Sequence, residues 1–116
     1  MTKVDTVVVS TATLRYARMS GSKVRRILGM LRRRKVRDAM DLLRAIPNRA
    51  ARVVEELISS AAANASFKGH RDSEVLIVSE LRADDGPMRK RIRAKSRGMA
   101  YVERNRTSHI FCSLSR

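Results

Sequence analysis

The sequence predicts an α+β fold: a strand, three helices and two strands, the last two joined by a very long basic connection. Three observations lead there. Short stretches rich in Val and Thr, or nearly continuous in apolar residues, lie at both ends of the chain. Between them, over residues 21–66, apolar residues recur at helical spacing. Finally, residues 84–109 (DDGPMRKRIRAKSRGMAYVERNRTSH) are almost without large apolar side chains, yet strand-like sequence precedes them (EVLIVSEL) and follows them (IFCSL).

Residues 6–19 (TVVVSTATLRYARM) read as a strand, at an edge, with Arg15 and Arg18 on its outer face. Ser20 is suited to cap a first helix, in which Val24, Ile27, Leu28 and Leu31 form one apolar stripe. Val36, Ala39, Met40 and Leu43 form a second stripe. At about 100° per residue, Val36 lies roughly 140° around from Leu31. One straight helix would carry two apolar faces, so two helices with a tight turn near residues 33–35 are expected. Pro47 ends the second helix. Residues 48–66 form the clearest helix, with an expected Arg52–Glu56 pair and an Ala-rich end that permits close packing. KGHRDS is a loop, residues 74–85 a strand, and IFCSL its apolar partner.

Composition bounds the function. The chain has 116 residues, the length of one domain (1–116), and 43% of them are apolar, enough for a core. Its formal net charge of +15 repels itself in a compact fold, so a polyanionic partner is implied. Tyr16, Phe67, Tyr101 and Phe111 are the only aromatic residues, too few for a platform that stacks splayed bases. Phosphate contact to a structured nucleic acid fits better. The one cysteine, Cys112, excludes an internal disulfide and fits a reducing compartment. The first residues lack the pattern of a secretory signal, and no apolar run approaches a membrane span, so no membrane partner is expected.

The charge is uneven. Residues 15–37 hold ten Lys/Arg and no acid; residues 38–85 hold nine acids against six bases; residues 86–116 hold nine bases and one acid, Glu103. A near-neutral scaffold thus separates two basic blocks. The second block is either a solvated loop or an extended hairpin. If residues 82–92 and 97–109 pair as a ribbon, about eleven residues per arm at ~3.3 Å reach roughly 35 Å beyond the domain. Such a ribbon is marginal alone and needs external walls.

The segments RYARMSGSKVRRIL, PNRAARVVEELISSAAANA, VSELRADDGPMRKRIRAKSRG and RTSHI, in this order and spacing, resemble the ribosomal protein L-twenty-two family of the large subunit. The resemblance covers nearly the whole chain from Arg15 to Ile110. It implies a two-layer β-α-α-α-β-β domain whose long extended β-hairpin, residues 84–109, enters the large-subunit RNA and lines the peptide exit tunnel. It implies a structural role in translation and subunit assembly, with no enzymatic activity and no cofactor. Contacts to rRNA are implied for Arg15, Arg18, Ser20, Lys23, Arg25 and Arg26. In the hairpin they are implied for Arg89, Lys90, Arg91, Arg93, Lys95, Arg97, Arg104, Arg106, Thr107, Ser108 and His109. Tunnel lining is implied for Lys90, Arg91, Ile92, Arg93, Lys95, Arg97 and Met99. The implied partners are large-subunit rRNA, neighbouring ribosomal proteins and the nascent peptide, with no homo-oligomer. The implied location is cytoplasmic, on the ribosome, or the stroma for a plastid-encoded member. The chain departs from the family pattern at Gly21 (usually Pro), Arg33 (commonly a helix-ending Gly), Lys35 (commonly a capping Ser), Ala94 (a tip Pro) and Met99 (a tip Arg).

Other chemistry is poorly supported. His109, His70 and Cys112 fall short of a closed zinc site, and Cys112 reads as a small packed residue. Asp84 and Asp85, beside Gly86–Pro87, read as turn formers and not as a catalytic pair. The runner-up is a helix-turn-helix binder of double-stranded nucleic acid through residues 20–37. That reading needs Asn or Gln on a recognition helix, and these helices have none.

Overall fold

The computed structural model describes residues 7–72 and 74–116. The strand expected from Thr6 therefore begins outside the described residues, as does the sequence read for a secretory signal. The elements are β1 (Val8–Ala17), α1 (Gly21–Leu31), α2 (Val36–Ala45), α3 (Arg49–Phe67), β2 (Ile77–Asp85), β3 (Arg89–Ala94), β4 (Ala100–Asn105) and β5 (Ser108–Ser115). The predicted α+β order holds. A three-stranded antiparallel sheet, β1-β5-β2, is one layer, and the helices form the other. β5 is central, which explains why six of its eight residues are buried and none is exposed.

The core lies between the layers. Val24, Ile27, Leu28 and Leu31 of α1 meet Val54, Ile58 and Ala61 of α3 and the sheet residues Val78, Leu81, Ile110, Cys112 and Leu114. The Ala-rich end of α3 lets β1 come close: Ala61 and Ala65 are fully buried, and the buried Ser10 hydroxyl donates to the Ala61 carbonyl at 2.8 Å. Gly69, at φ +94°, ends α3 with a left-handed residue. The His70 N–H then reaches the Ala65 carbonyl and the Gly69 N–H the Ser66 carbonyl, satisfying carbonyls the helix leaves open.

The two-helix reading of residues 21–45 is correct, and its turn is specific. Arg32 is extended (φ −63°, ψ 138°), Arg33 is left-handed (φ +64°), and the Arg34 N–H reaches the Leu31 carbonyl. This is a type II turn with arginine where glycine is preferred. Neighbouring strand β2 holds it: Arg33 N–H donates to the Val78 carbonyl at 2.8 Å, and Val78 N–H to Arg34 at 2.9 Å. An Arg33→Gly variant should be more stable by roughly 0.5–1 kcal/mol, the side-chain penalty in the left-handed region less the added freedom of the unfolded chain. The urea midpoint of the two proteins checks this; a lower midpoint for the glycine variant refutes it.

Three local expectations need correction. Ser20 occupies the cap position of α1, but its hydroxyl bonds the Ser22 hydroxyl (2.9 Å) and no helix N–H. Arg52 pairs with Glu55 (2.9 Å) and not with Glu56, because the guanidinium turns back to the Leu43 and Ile46 carbonyls at the end of α2. β2 starts at Ile77, since Glu74 and Val75 form a turn closed by Asp72.

Both edges of the sheet are closed by side chains. On β2, Arg25 Nε donates to the Ala83 carbonyl (2.9 Å) and Arg32 Nε to Leu81 (3.0 Å). On β1, Asn64 of α3 and Lys68, just past its end, donate to the Thr11 and Val9 carbonyls (3.1 and 3.3 Å). An open edge invites pairing with another chain, and these side chains block it.

The hairpin is a ribbon, but an interrupted one. β2 and β5 pair as far as Asp85↔Ser108, and β3 and β4 pair separately from Arg89↔Asn105 to Ala94↔Ala100. Between them, residues 86–88 oppose residues 106–107, one extra residue on the outgoing arm. The ribbon considered from the sequence, over 82–92 and 97–109, is thus divided at its root. The radius of gyration is 17.4 Å, against about 13 Å for a compact chain of this length, and the long axis of 61 Å is about twice the others. No helix among the described residues is long and apolar enough to cross a membrane.

Candidate nucleic-acid interface

The two basic blocks, far apart in sequence, meet at one end of the sheet. β1 ends where Ala17 pairs with Ser108, and β2 ends where Asp85 pairs with the same residue. α1 starts beside them: a Cβ on Gly21 would lie 2.6 Å from Asp85 Oδ1. Arg15, Arg18, Lys23 and Arg26 therefore stand at the root of the ribbon that carries the other basic residues, and all four are exposed.

The root is built from close contacts. Tyr16 has φ +58° at the irregularity where β1 pairing shifts between Leu14 and Ala17. This turns its N–H onto His109 Nδ1 at 3.0 Å, and the two rings meet edge to face, centroids 4.8 Å apart. Because Nδ1 accepts this bond, the neutral ring carries its proton on Nε2. Gly86 N–H donates to the Thr107 carbonyl (2.9 Å), and the Thr107 hydroxyl donates to the Pro87 carbonyl (2.6 Å). A Cβ on Gly86 would lie 2.5 Å from Thr107 Oγ1 and 3.3 Å from His109 Nε2, so only glycine permits this approach.

Beyond the root the ribbon stands free. Every side chain of β3 is exposed, and in β4 only Glu103 is half-buried. Side chains alternate across a strand. Lys90↔Arg104, Ile92↔Val102 and Ala94↔Ala100 therefore share one face, and Arg89↔Asn105, Arg91↔Glu103 and Arg93↔Tyr101 the other. Arg93 binds Glu103 (2.7 Å), and Lys95 Nζ lies 4.5 Å over the Tyr101 ring. The tip closes through Lys95 N–H to the Met99 carbonyl (2.6 Å), with Arg97 and Gly98 left-handed at φ +60° and +70°.

The predicted site residues divide accordingly. Arg15, Arg18, Lys23, Arg26, Arg89, Lys90, Arg91, Arg97, Arg104 and Arg106 are exposed, and among the described residues none makes a side-chain hydrogen bond or ion pair within the chain. Arg25 is occupied at the β2 edge and with Asp85 (3.3 Å). Ser108 is a correction: it is fully buried at the end of β5, its hydroxyl finds no partner, and its side chain does not reach the surface. Of the residues expected to line the tunnel, strand alternation puts Lys90 and Ile92 on one face of the ribbon and Arg91 and Arg93 on the other. Sequence reasoning did not single out Tyr16 as the partner of His109, because only the irregular end of β1 brings them together.

No group of three or more His, Cys, Asp or Glu among the described residues could hold a metal ion. Cys112 is fully buried, and burial pushes its thiol from an ordinary 9.0 up to about 12. Above pH 9 the unfolded thiol ionises while the folded one does not, so stability drops as pH rises, by about 1.4 kcal/mol per pH unit up to the folded value. The urea midpoint of the chain should therefore drop more between pH 9 and pH 10 than that of a Cys112→Ala variant; equal drops would refute a buried thiol.

The family model for "Ribosomal protein L22p/L17e" matches residues 12–115. The chain is also 46% identical over 101 residues to "Large ribosomal subunit protein uL22" of Caldicellulosiruptor saccharolyticus, spanning 87% of this chain and 83% of that protein. The match runs through the sheet, all three helices and the ribbon. The chain belongs to this family: it is a ribosomal protein of the large subunit, structural and not an enzyme.

Proposed function

We propose that this chain acts as a single rRNA-binding domain in the large subunit, with residues 84–109 held between RNA walls and their tip lining the peptide exit tunnel. The single observation that carries this is the ribbon: two strands packed chiefly on each other, every side chain but that of Glu103 exposed, with Arg89, Lys90, Arg91, Arg93 and Arg104 among them and Glu103 the one acid. A two-stranded ribbon is marginal in water, so its order comes from outside, and phosphates are the complement of its charge. Arg and Lys there neutralise and position; RNA shape supplies the specificity. The exposed tip residues Lys95, Arg97 and Met99 are the ones offered to the nascent peptide. Binding holds the RNA segments that the ribbon contacts together and so supports subunit assembly, with one copy of the chain per particle beside neighbouring ribosomal proteins.

The test is a cross-link. A Met99→Cys variant, with native Cys112 buried, is labelled with a photoreactive group and incorporated into large subunits. Translating ribosomes carrying a stalled nascent chain should give a cross-link to that chain from position 99 and none from Ser60→Cys on α3. Incorporation without any nascent-chain product from the tip would refute tunnel lining while leaving RNA binding intact.

A further inference from the structure

The near-neutral middle of the chain contributes one cation to the basic end, and sequence charge counting hides it. A cavity of about 270 Å³ opens between the end of β1 and the first turns of α1 and α3, lined by Arg18, Met19, Ser20, Lys23, Asn48, Arg49 and Ala50. Three cations line it, Arg18 from the turn after β1, Lys23 from α1 and Arg49 from α3, and no acid does. Among the described residues, Arg18, Lys23 and Arg49 make no ion pair within the chain, although ion pairs occupy Arg25, Arg37, Arg44, Arg52, Arg82 and Arg93 elsewhere.

The arrangement opposes the stability of the free protein. Helix starts favour acids, yet neither α1 nor α3 has one in its first turn, and Lys23 and Arg49 stand there instead. Three like charges around one cavity repel as well. Conflicts of this kind concentrate at functional sites, where a ligand resolves them. An anion in the cavity would meet all three cations and remove both penalties. We propose that this cavity seats one phosphodiester of the RNA backbone, shared by Arg18, Lys23 and Arg49, with Arg49 as a binding residue outside both basic blocks. The proposal rests on the RNA-binding reading above and adds a particular contact to it.

Binding of the full chain to deproteinised large-subunit rRNA, measured over a salt series, is the test. Arg49→Gln should weaken binding about tenfold at low salt, the worth of a charge-assisted contact, and lower the salt slope by about one. Adding Lys23→Gln should cost less than it does alone, because both serve one phosphate. Arg49→Gln should also melt no lower than the parent without RNA, since it removes a cation from a helix start; a purely structural arginine would lower the melt. Arg44→Gln, which removes a cation that does not line the cavity and is paired with Asp41 and Glu55, should leave binding unchanged.

Parental affinity and slope for Arg49→Gln, alongside weakened binding by Arg91→Gln in the ribbon, would overturn the seat and leave the RNA reading standing. Fully multiplicative effects of Lys23→Gln and Arg49→Gln would overturn the shared phosphate. Competition by inorganic phosphate as effective as that by RNA would reassign the cavity to a free anion. Loss of all salt-dependent binding in the parent protein would remove the RNA reading, and the seat with it.

Discussion

Replacing residues 88–106 by a short Gly-Ser turn should leave the domain folded and cost about a thousandfold in affinity for large-subunit rRNA. The removed segment carries Arg89, Lys90, Arg91, Arg93, Lys95, Arg97, Arg104 and Arg106 against one acid, Glu103. Six to ten phosphate contacts change affinity by about 10³–10⁵ between 50 and 200 mM salt, so losing this set flattens the salt dependence as well. The folded state should not register the loss, because β3 and β4 form their own sheet and contribute nothing to the core. The replacement keeps Gly86 and Thr107, whose hydrogen bond closes the root. Thermal melting by circular dichroism and filter binding across a salt series are the two measurements. Loss of the cooperative melt would make the ribbon part of the core. Parental affinity would mean that RNA is held elsewhere.

A Leu28→Ala substitution should have the converse effect, large on stability and indirect on binding. Leu28 is fully buried on α1, in line with Val24, Ile27 and Leu31, where the helix packs on β2 and α3. Truncation leaves a cavity and costs about 2–5 kcal/mol. The whole domain has a stability of about 5–15 kcal/mol. Its melting temperature should therefore drop by more than about 10 °C. Leu28→Met, which keeps the volume, should cost less than about 1.5 kcal/mol. RNA affinity measured well below the melt should stay near that of the parent protein, because no cation is removed. A loss of less than about 1 kcal/mol for the alanine variant would show that α1 is not built into the core as described.

These two results separate what holds the domain from what the domain presents. Apolar side chains between sheet and helices do the first. Cations do the second, though not all of them. Arg25, Arg32 and Lys68 seal sheet edges, and Arg52 closes the end of α2. A charge count cannot tell such residues from those left free.

Much of the fold was legible in the sequence for definite reasons. The phase shift between the Leu31 and Val36 stripes forces two helices, because one helix cannot bury both faces. The poverty of apolar residues from Asp84 to His109 excludes that segment from any core. The family motifs then identified it as a hairpin. Local pattern determines such features, since periodicity and composition are properties of consecutive residues.

Only the tertiary structure decided the rest. Register placed the bulge at residues 86–88, divided the ribbon's side chains between two faces and buried Ser108, none of which a single strand's sequence specifies. Packing brought Tyr16 to His109 and Arg49 to Arg18 and Lys23, across separations that no local pattern spans. The sequence by itself determined which segments are core and which are cationic surface. Which cation is free, and which others stand beside it, depends on long-range pairing and packing, and so belongs to the folded chain alone.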